Sequence, residues 1–369
     1  MEWYYVQTEA DDGEARNAGA KAPADVSAIL AQAGFTRLGL RDVERRDVGG
    51  ALAKLKGHRV AKNRWLEAVS SLKKGDGVVM QVPFACHTIW FGKVVTALQK
   101  KDIRLILLVH DLESVRLGLT GDVSFAQAQR FKLEESAVFS YAQAIIVHND
   151  HMADFVAEHL GYPRERIVSL RLFDYLVPDA PMGVPVYQAA SVGFRKVIVA
   201  GNLRRDKAGY LYDIPDDVDF EYFGDGYEPN ESRPRVTYRG SFPADELPSK
   251  LDGGFGLVWD GPQGTTCSGV YGTYLTINNP HKTSPYLASG LPVVSWSKAA
   301  IADVIRDEGV GLCVESLYDL HDALAGVTEE AYVVMVNNAR KVGERLRAGA
   351  FTLEAVHKAC EIAQTSFST

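Results

Sequence analysis

Cysteine is scarce in this chain: Cys86, Cys267, Cys313 and Cys360 are the four in 369 residues. No two of them share a CxxC spacing, which excludes a zinc ribbon or a disulfide framework and suits a reducing compartment. Long hydrophobic runs are missing as well. No apolar stretch reaches the ~20 residues that a membrane-crossing helix needs, and the longest, residues 103–109, contains Arg104 and has the length of a buried strand. Met1-Glu2-Trp3-Tyr4-Tyr5-Val6 lacks the basic start, apolar stretch and cleavage site of a secretory signal, so the expected location is cytoplasmic. Positive charge is not in excess either. A net charge of −7 and a pI near 5.8 give no reason to expect a nucleic-acid partner. There is no G-x-G-x-x-G fingerprint with an acidic partner, which argues against a nicotinamide enzyme, and no GxxxxGK[ST] loop, which removes P-loop phosphoryl transfer. Internal repeats and low-complexity tracts are absent too.

What is present is an ordinary globular composition, 46% hydrophobic and 24% charged, in a chain long enough for two α/β domains. Short apolar runs alternate with helical patterns, the signature of βαβ units around a mostly parallel sheet. In the first half, strands are predicted over 3–8, 35–40, 77–82, 103–109, 144–148 and 166–170. Helices fall between them at 24–33, 60–72, 88–100, 125–140 and 150–160. The stretch 177–185 carries Pro178, Pro181, Gly183 and Pro185 without a period and reads as a linker. The pattern then restarts, with strands at 196–200, 219–223, 235–239, 255–259, 292–295 and 311–314. Helices are predicted at 282–289, 299–306, 316–325, 329–347 and 352–365. This places one domain over 1–180, a second over 181–345, and a terminal helix over 346–369 that packs back toward the first domain.

The densest polar segment is Asn278-Asn279-Pro280-His281-Lys282-Thr283-Ser284, at the start of the predicted 282–289 helix. Asn278 or Asn279 can cap that helix, and His281, Lys282, Thr283 and Ser284 fall on its first turn. A helix N-terminus carries unpaired N–H groups and partial positive charge, so it binds phosphate readily. Without an anion Lys282 would oppose the macrodipole, which favours a diphosphate site over a merely polar cap. A second anion candidate, Gly201-Asn202-Leu203-Arg204-Arg205-Asp206-Lys207, follows the first strand of the second domain. Gly201 permits close backbone approach, and the arginines can fork onto phosphate oxygens. Both candidates lie at strand carboxyl ends, where open α/β sheets bind ligands.

In the first domain the buried 103–109 strand feeds His110-Asp111-Leu112-Glu113. His110, Asp111 and Glu113 are therefore candidates for a general base or for acceptor binding. The other reading has Asp111 capping a turn and His110 packed at an edge. After the next strand, His148-Asn149-Asp150 reads as a helix cap supplied by Asp150. Asn17-Ala18-Gly19-Ala20-Lys21 reads as a small-residue loop that lets a substrate approach backbone. Residues 37–74 are rich in lysine and arginine, and 51–72 within them reads as an amphipathic helix. That segment is either a solvated helix face or a surface for anionic lipid or a pyrophosphate-linked acceptor.

Four segments, read together, resemble one bacterial family: Leu107-Leu108-Val109-His110-Asp111-Leu112-Glu113-Ser114-Val115-Arg116; Ile146-Val147-His148-Asn149-Asp150-His151-Met152; Gly256-Leu257-Val258-Trp259-Asp260-Gly261; and Asn278 to Ser284 with Ala288-Ser289-Gly290-Leu291-Pro292-Val293-Val294. That family includes β-1,6-galactofuranosyltransferases of polysaccharide synthesis and the glucosyltransferase that extends O-linked GlcNAc on serine-rich repeat adhesins. The resemblance runs from about the Asn17 loop to the C-terminal helix. It implies an α/β protein of the GT-B fold, two Rossmann-like domains facing a central cleft. It also implies a UDP-sugar donor, a saccharide acceptor (glycan, glycoprotein or lipid-linked), no cofactor or metal, and a homo-oligomer.

Carried over by position, Asn202, Arg204 and Lys282 with Thr283 would hold the diphosphate. Phe223 and Gly224 would lie near the base and ribose, and Asn17 and Gly19 would close on the donor from the first domain. Asn279, His281 and Ser284 join this donor set from the helix argument above. Residues 265–272 would form a flexible loop near the cleft. Retaining GT-B enzymes place two glutamates around the phosphate helix, where this chain has Ile277 and Pro285. That favours an inverting transfer with Asp111 as base and His110 and Glu113 behind it. Glucose, galactofuranose and galactose all stay open as the sugar. Two other readings share the architecture: a hydrolysing UDP-sugar 2-epimerase, which needs acidic residues gathered around the sugar, and a non-catalytic glycan-binding partner subunit, which has no use for a cationic anion site.

Overall fold

The computed structural model describes residues 1–9, 18–41, 50–83, 90–112, 115, 136, 138–177, 193–229 and 235–365. The chain divides into two compact units. The first comprises Met1–Gly13, Val26–Leu170 and Thr352–Thr369, the second Glu14–Asp25 and Arg171–Phe351.

The first unit is built on β1 (Trp3–Glu9), α1 (Ala18–Gln32), β2 (Thr36–Arg41), α2 (Ala51–Ala68), β3 (Gly77–Val82), α3 (Phe91–Lys100), β4 (Arg104–Val109), β5 (Ala144–Val147), α4 (Asp150–Leu160) and β6 (Ile167–Ser169). Its six strands pair in the order β2-β1-β3-β4-β5-β6, every pair parallel. A parallel sheet needs both faces covered, so its inner strands read as continuous apolar runs. Accordingly all four residues of β5 are buried, as are five of the six in β4. α3 turns Phe91, Val94, Val95 and Leu98 inward, the i, i+3, i+4, i+7 stripe of a surface helix.

Two local expectations are corrected. Ala18 to Lys21 are helical rather than a loop: α1 begins at Ala18, its alanines outweighing Gly19 and the interior Pro23. The cap of α4 is Asn149, whose side chain accepts from the Met152 N–H at 2.9 Å. Asp150 is instead the first helical residue and accepts from Arg164 and Ser169. Most of the predicted 125–140 helix lies outside the described residues.

The second unit contains β7 (Lys196–Asn202), β8 (Asp219–Asp225), β9 (Val236–Gly240), α5 (Leu247–Lys250), β10 (Phe255–Val258), α6 (Gly269–Tyr274), α7 (Thr283–Ala288), β11 (Val293–Trp296), α8 (Ile301–Glu308), β12 (Gly311–Val314), α9 (Leu320–Ala325) and α10 (Glu329–Arg347). A last helix, α11 (Ala350–Thr365), joins the first unit from Thr352 onward. The sheet order is β12-β11-β10-β7-β8-β9, again parallel throughout. The order reverses between β7 and β10, so the carboxyl ends of these neighbours form the crevice where such sheets take ligands. Each predicted strand in this half appears within about two residues, the scatter expected of assigned ends. Residues 178–192, which hold most of the predicted linker, lie outside the described residues.

Helix α10 shows why its boundaries were readable. The Thr328 hydroxyl accepts from the Ala331 N–H at 3.2 Å, Glu329 and Glu330 fill the first turn, and Arg345 and Arg347 fill the last. Arg347 then donates through Nε to the Ala288 carbonyl at 2.8 Å, which satisfies the end of α7. Glu14–Asp25 belongs with this unit through Lys21, whose ammonium meets Asp25 at 2.6 Å, Asp245 at 2.8 Å and the Leu176 carbonyl at 2.7 Å.

Candidate functional site

Three strand ends of the second unit converge. β7 finishes in Ala200-Gly201-Asn202 and β8 in Phe223-Gly224-Asp225, with Gly201 opposite Gly224 and Asn202 opposite Asp225. Their backbones come so close that a Cβ on Gly224 would lie 1.8 Å from the Gly201 carbonyl oxygen, and Gly224 holds a φ of 140°. Only glycine fits there. Beyond the strand, Asn202 Oδ1 accepts from the Arg204 N–H at 3.0 Å, forming a short side-chain-closed turn that leaves both residues exposed. The Leu203 N–H donates to the Asp225 carbonyl at 2.9 Å and ties this turn to β8. Among the described residues Arg204 makes no ion pair.

The third strand end, β10, leads into Trp259-Asp260-Gly261, and α7 is bolted over it. Tyr286 Oη accepts from the Ala200 N–H at 2.6 Å, and its ring lies where a side chain on Gly256 would be, 2.2 Å from an added Cβ. So a missing side chain on β10 and a tyrosine on α7 set the height of the helix above the sheet. Lys282 precedes that helix with ordinary helical dihedrals and does not cap it. Its ammonium donates to Asp260 Oδ1 at 2.7 Å and to the Trp259 carbonyl at 2.9 Å. The pair is sheltered, with side-chain exposures of 12% for Lys282 and 6% for Asp260. Burial lowers the Lys282 pKa from its usual value, Asp260 opposes that shift, and nearby Lys207 adds to it. Lys207 also lies over the Tyr271 ring, 5.4 Å from its centre.

The remaining predicted donor residues divide into two groups. Phe223 is buried and Gly224 lies beside it at the end of β8. Thr283 is buried, and its hydroxyl has no hydrogen-bond partner among the described residues. Ser284 instead gives its proton to the Phe173 carbonyl at 2.6 Å, and the Asn279 amide donates to the Arg171 carbonyl. The His281 ring lies 4.1 Å from that of Phe173. Neither Asn278 nor Asn279 caps α7, because the helix starts later, at Thr283, and its flanking residue makes no side-chain cap. Within 265–272, the last residues belong to helix α6 rather than to a loop.

In the first unit, His110 and Asp111 follow β4. The His110 Nε2 donates to Gln81 Oε1 on β3 at 2.6 Å, since an amide oxygen can only accept. The Gln81 amide donates in turn to Ser27 Oγ on α1 at 3.0 Å. His148 Nε2 donates to the His110 carbonyl at 2.9 Å. Burial, with His148 nearby, pushes the His110 pKa down to about 3, so its imidazole is neutral at ordinary pH. Asp111 is half-buried next to it. Gly19 lies in the first turn of α1, while Asn17 and Glu113 are outside the described residues.

Asp260 and Gln81 were not among the predicted site residues. Asp260 had a usable signal: like His110, it is polar and lies just past a buried strand, here with Trp259 between. Gln81 had none, since it sits inside a strand and its role depends on β3 and β4 being neighbours.

Among solved structures the chain resembles sucrose-phosphate synthase from Thermosynechococcus elongatus, with a TM-score of 0.63 at 13% identity over 100% of this chain and 99% of that one. It also resembles the UDP-forming α,α-trehalose-phosphate synthase from Burkholderia vietnamiensis, with a TM-score of 0.59 at 11% identity over 98% and 99%. The two Rossmann-like units and these neighbours define a GT-B fold. Models of the glucosyltransferase 3-like N-terminal and C-terminal domains match residues 4–172 and 197–359. The chain is 33% identical over 265 residues to the β-1,6-galactofuranosyltransferase WbbI of Escherichia coli K12, spanning 71% of this chain and 73% of that one. It is 26% identical to glucosyltransferase 3 of Streptococcus parasanguinis over 77% and 78% of the two chains. It belongs to the glucosyltransferase 3-like family of glycosyltransferases.

Proposed function

We propose that the chain moves a hexosyl residue, glucose or galactofuranose or galactose, from a UDP-sugar to a glycan, glycoprotein or lipid-linked saccharide, with inversion and without a metal. The observation that carries the donor side is Lys282, held with Lys207 nearby where β10, β7 and β8 end. Substitution at the anomeric carbon sends negative charge onto the departing diphosphate. A positioned donor at that charge is worth about 3 kcal/mol of barrier. Asn202, Arg204 and Lys282 with Thr283 take the diphosphate, and Phe223 and Gly224 flank the nucleoside. Asp111 accepts the proton of the acceptor hydroxyl. Neutral His110, locked through Gln81, helps shape that side without carrying charge.

We extend the reading to a cytoplasmic homo-oligomer that meets the inner face of a membrane peripherally through residues 37–74. Light scattering tests the oligomer. The catalytic reading is tested by a thermal-shift panel of nucleotide sugars, followed by product analysis with the sugar that stabilises most. A UDP-hexose should raise the melting temperature and then yield a glycosylated acceptor with inverted anomeric configuration. Stabilisation by no UDP-sugar, or release of an epimerised sugar without transfer, would overturn it.

A further inference from the structure

Helices α2 and α3 lie side by side in the first unit, pinned by the edge-to-face contact of Trp65 and Phe91 at 5.1 Å. The inward stripe of α2 is His58, Ala61 and Trp65. Its neighbouring stripe, Leu52, Leu55, Arg59, Lys62 and Leu66, keeps helical spacing but stays at the surface. Leu52 is 84% exposed and Leu55 52%, values that no packed helix face explains. Facing the second half of this stripe is a groove of about 670 Å³, lined by Arg59, Lys62 and Leu66 from α2 and by Trp90, Lys93 and Lys100 at the start and along α3.

The four cations of this groove make no ion pair among the described residues. Of the basic residues nearby, Lys74 meets Asp102 at 3.1 Å, and Lys101 donates to the Ser70 and Leu72 carbonyls at 2.7 Å. Like charges gathered around one concavity repel each other, and an anion relieves that repulsion. In a chain of net charge −7 this is a local reversal of sign. The lining also has apolar members, Leu66 and Trp90, and Leu52 and Leu55 project from the same helix face. Cations clustered beside protruding leucines and a tryptophan match a surface that meets anionic lipid head groups. An acidic protein surface would match the charges but leave the two leucines unused.

We propose that this α2–α3 groove docks the chain on an anionic lipid bilayer. Phosphate head groups sit among Arg59, Lys62, Lys93 and Lys100, and Leu52 and Leu55 insert at the acyl boundary. The inference rests on the membrane contact proposed above for residues 37–74, which it narrows to one groove, and it is independent of the donor assignment.

The test is co-sedimentation of the full chain with vesicles of phosphatidylcholine alone or with ~30 mol% phosphatidylglycerol, near physiological ionic strength. Binding should require phosphatidylglycerol and fall as salt is raised. The double variant Lys62→Glu/Lys93→Glu should bind at least ~10-fold more weakly. The double variant Leu52→Ser/Leu55→Ser should also bind more weakly, while both variants keep the melting temperature and UDP affinity of the parent. Equal binding to neutral vesicles, or unchanged binding by the charge-reversal variant, would overturn the proposal. So would full binding by the serine variant, which would point to an acidic macromolecule instead of a bilayer.

Discussion

Lys282 and Asp260 form a buried ion pair, 2.7 Å from nitrogen to oxygen, between the residue preceding α7 and one in the segment just past β10. A lysine at a helix start looks uncompensated when only its own helix is considered. Here its counter-charge comes from the neighbouring strand, with the Trp259 carbonyl as a second acceptor. The pair therefore holds the ammonium in place near the end of β10.

Removing one member or the other should affect ligand affinity differently. Lys282→Ala deletes a charge-assisted contact and should weaken UDP binding by roughly 10- to 100-fold, on the ~1.5–3 kcal/mol scale of such bonds. It also strands the Asp260 carboxylate, which costs about 3–5 kcal/mol of stability. Asp260→Asn should lower stability too, yet leave UDP binding equal or tighter, because it removes negative charge beside the diphosphate. Calorimetric titration and denaturant unfolding on both variants separate the two effects.

Asp111→Asn should spare UDP binding and reduce transfer by about 10²- to 10⁴-fold, the usual contribution of a positioned base. Full activity in that variant would remove Asp111 from the base role. Measuring donor affinity and turnover on the same preparation decides it.

His110 sets a pH dependence of stability. Unfolded, its imidazole titrates near 6.5, and burial brings the folded value to about 3. The unfolded chain therefore binds the proton first. The stability that depends on neutral His110 is complete above pH 6.5 and is lost progressively as pH falls toward 3. In urea unfolding across about pH 5–7.5, His110→Gln should flatten this acid-side loss relative to the parent.

Gly224→Ala should be among the most damaging single-methyl additions, since its Cβ would collide with the Gly201 carbonyl. A loss of at least about 2 kcal/mol is expected, together with weaker UDP binding as the ends of β7 and β8 separate. A stability equal to the parent would contradict the close approach.

Strands were readable because burial on two faces leaves an unmistakable residue pattern, as in Ala144–Val147. Boundaries set by capping were less so. Asn149 and Asp150 are adjacent and both are good caps, so composition alone cannot choose between them. The start of α1 was hidden by Gly19 and Pro23, two poor helix formers near its first turns. At the candidate site, the positions of Asn202, Arg204 and Lys282 near strand ends followed from alternating pattern and polar punctuation, and that of Gly224 from the family resemblance. Their partners did not. Asp260 meets Lys282 across 22 positions of sequence, and Gln81 meets His110 across 29, contacts that exist only because particular elements are neighbours.

The account depends most on a diphosphate gripped where β7, β8 and β10 end. A crystal of the protein soaked with UDP tests this directly. The account predicts phosphate oxygens within hydrogen-bond reach of Lys282 Nζ and Arg204, with the nucleoside beside Phe223 and Gly224. Nucleotide density elsewhere on the chain, or a Lys282 ammonium turned into bulk solvent, would contradict it.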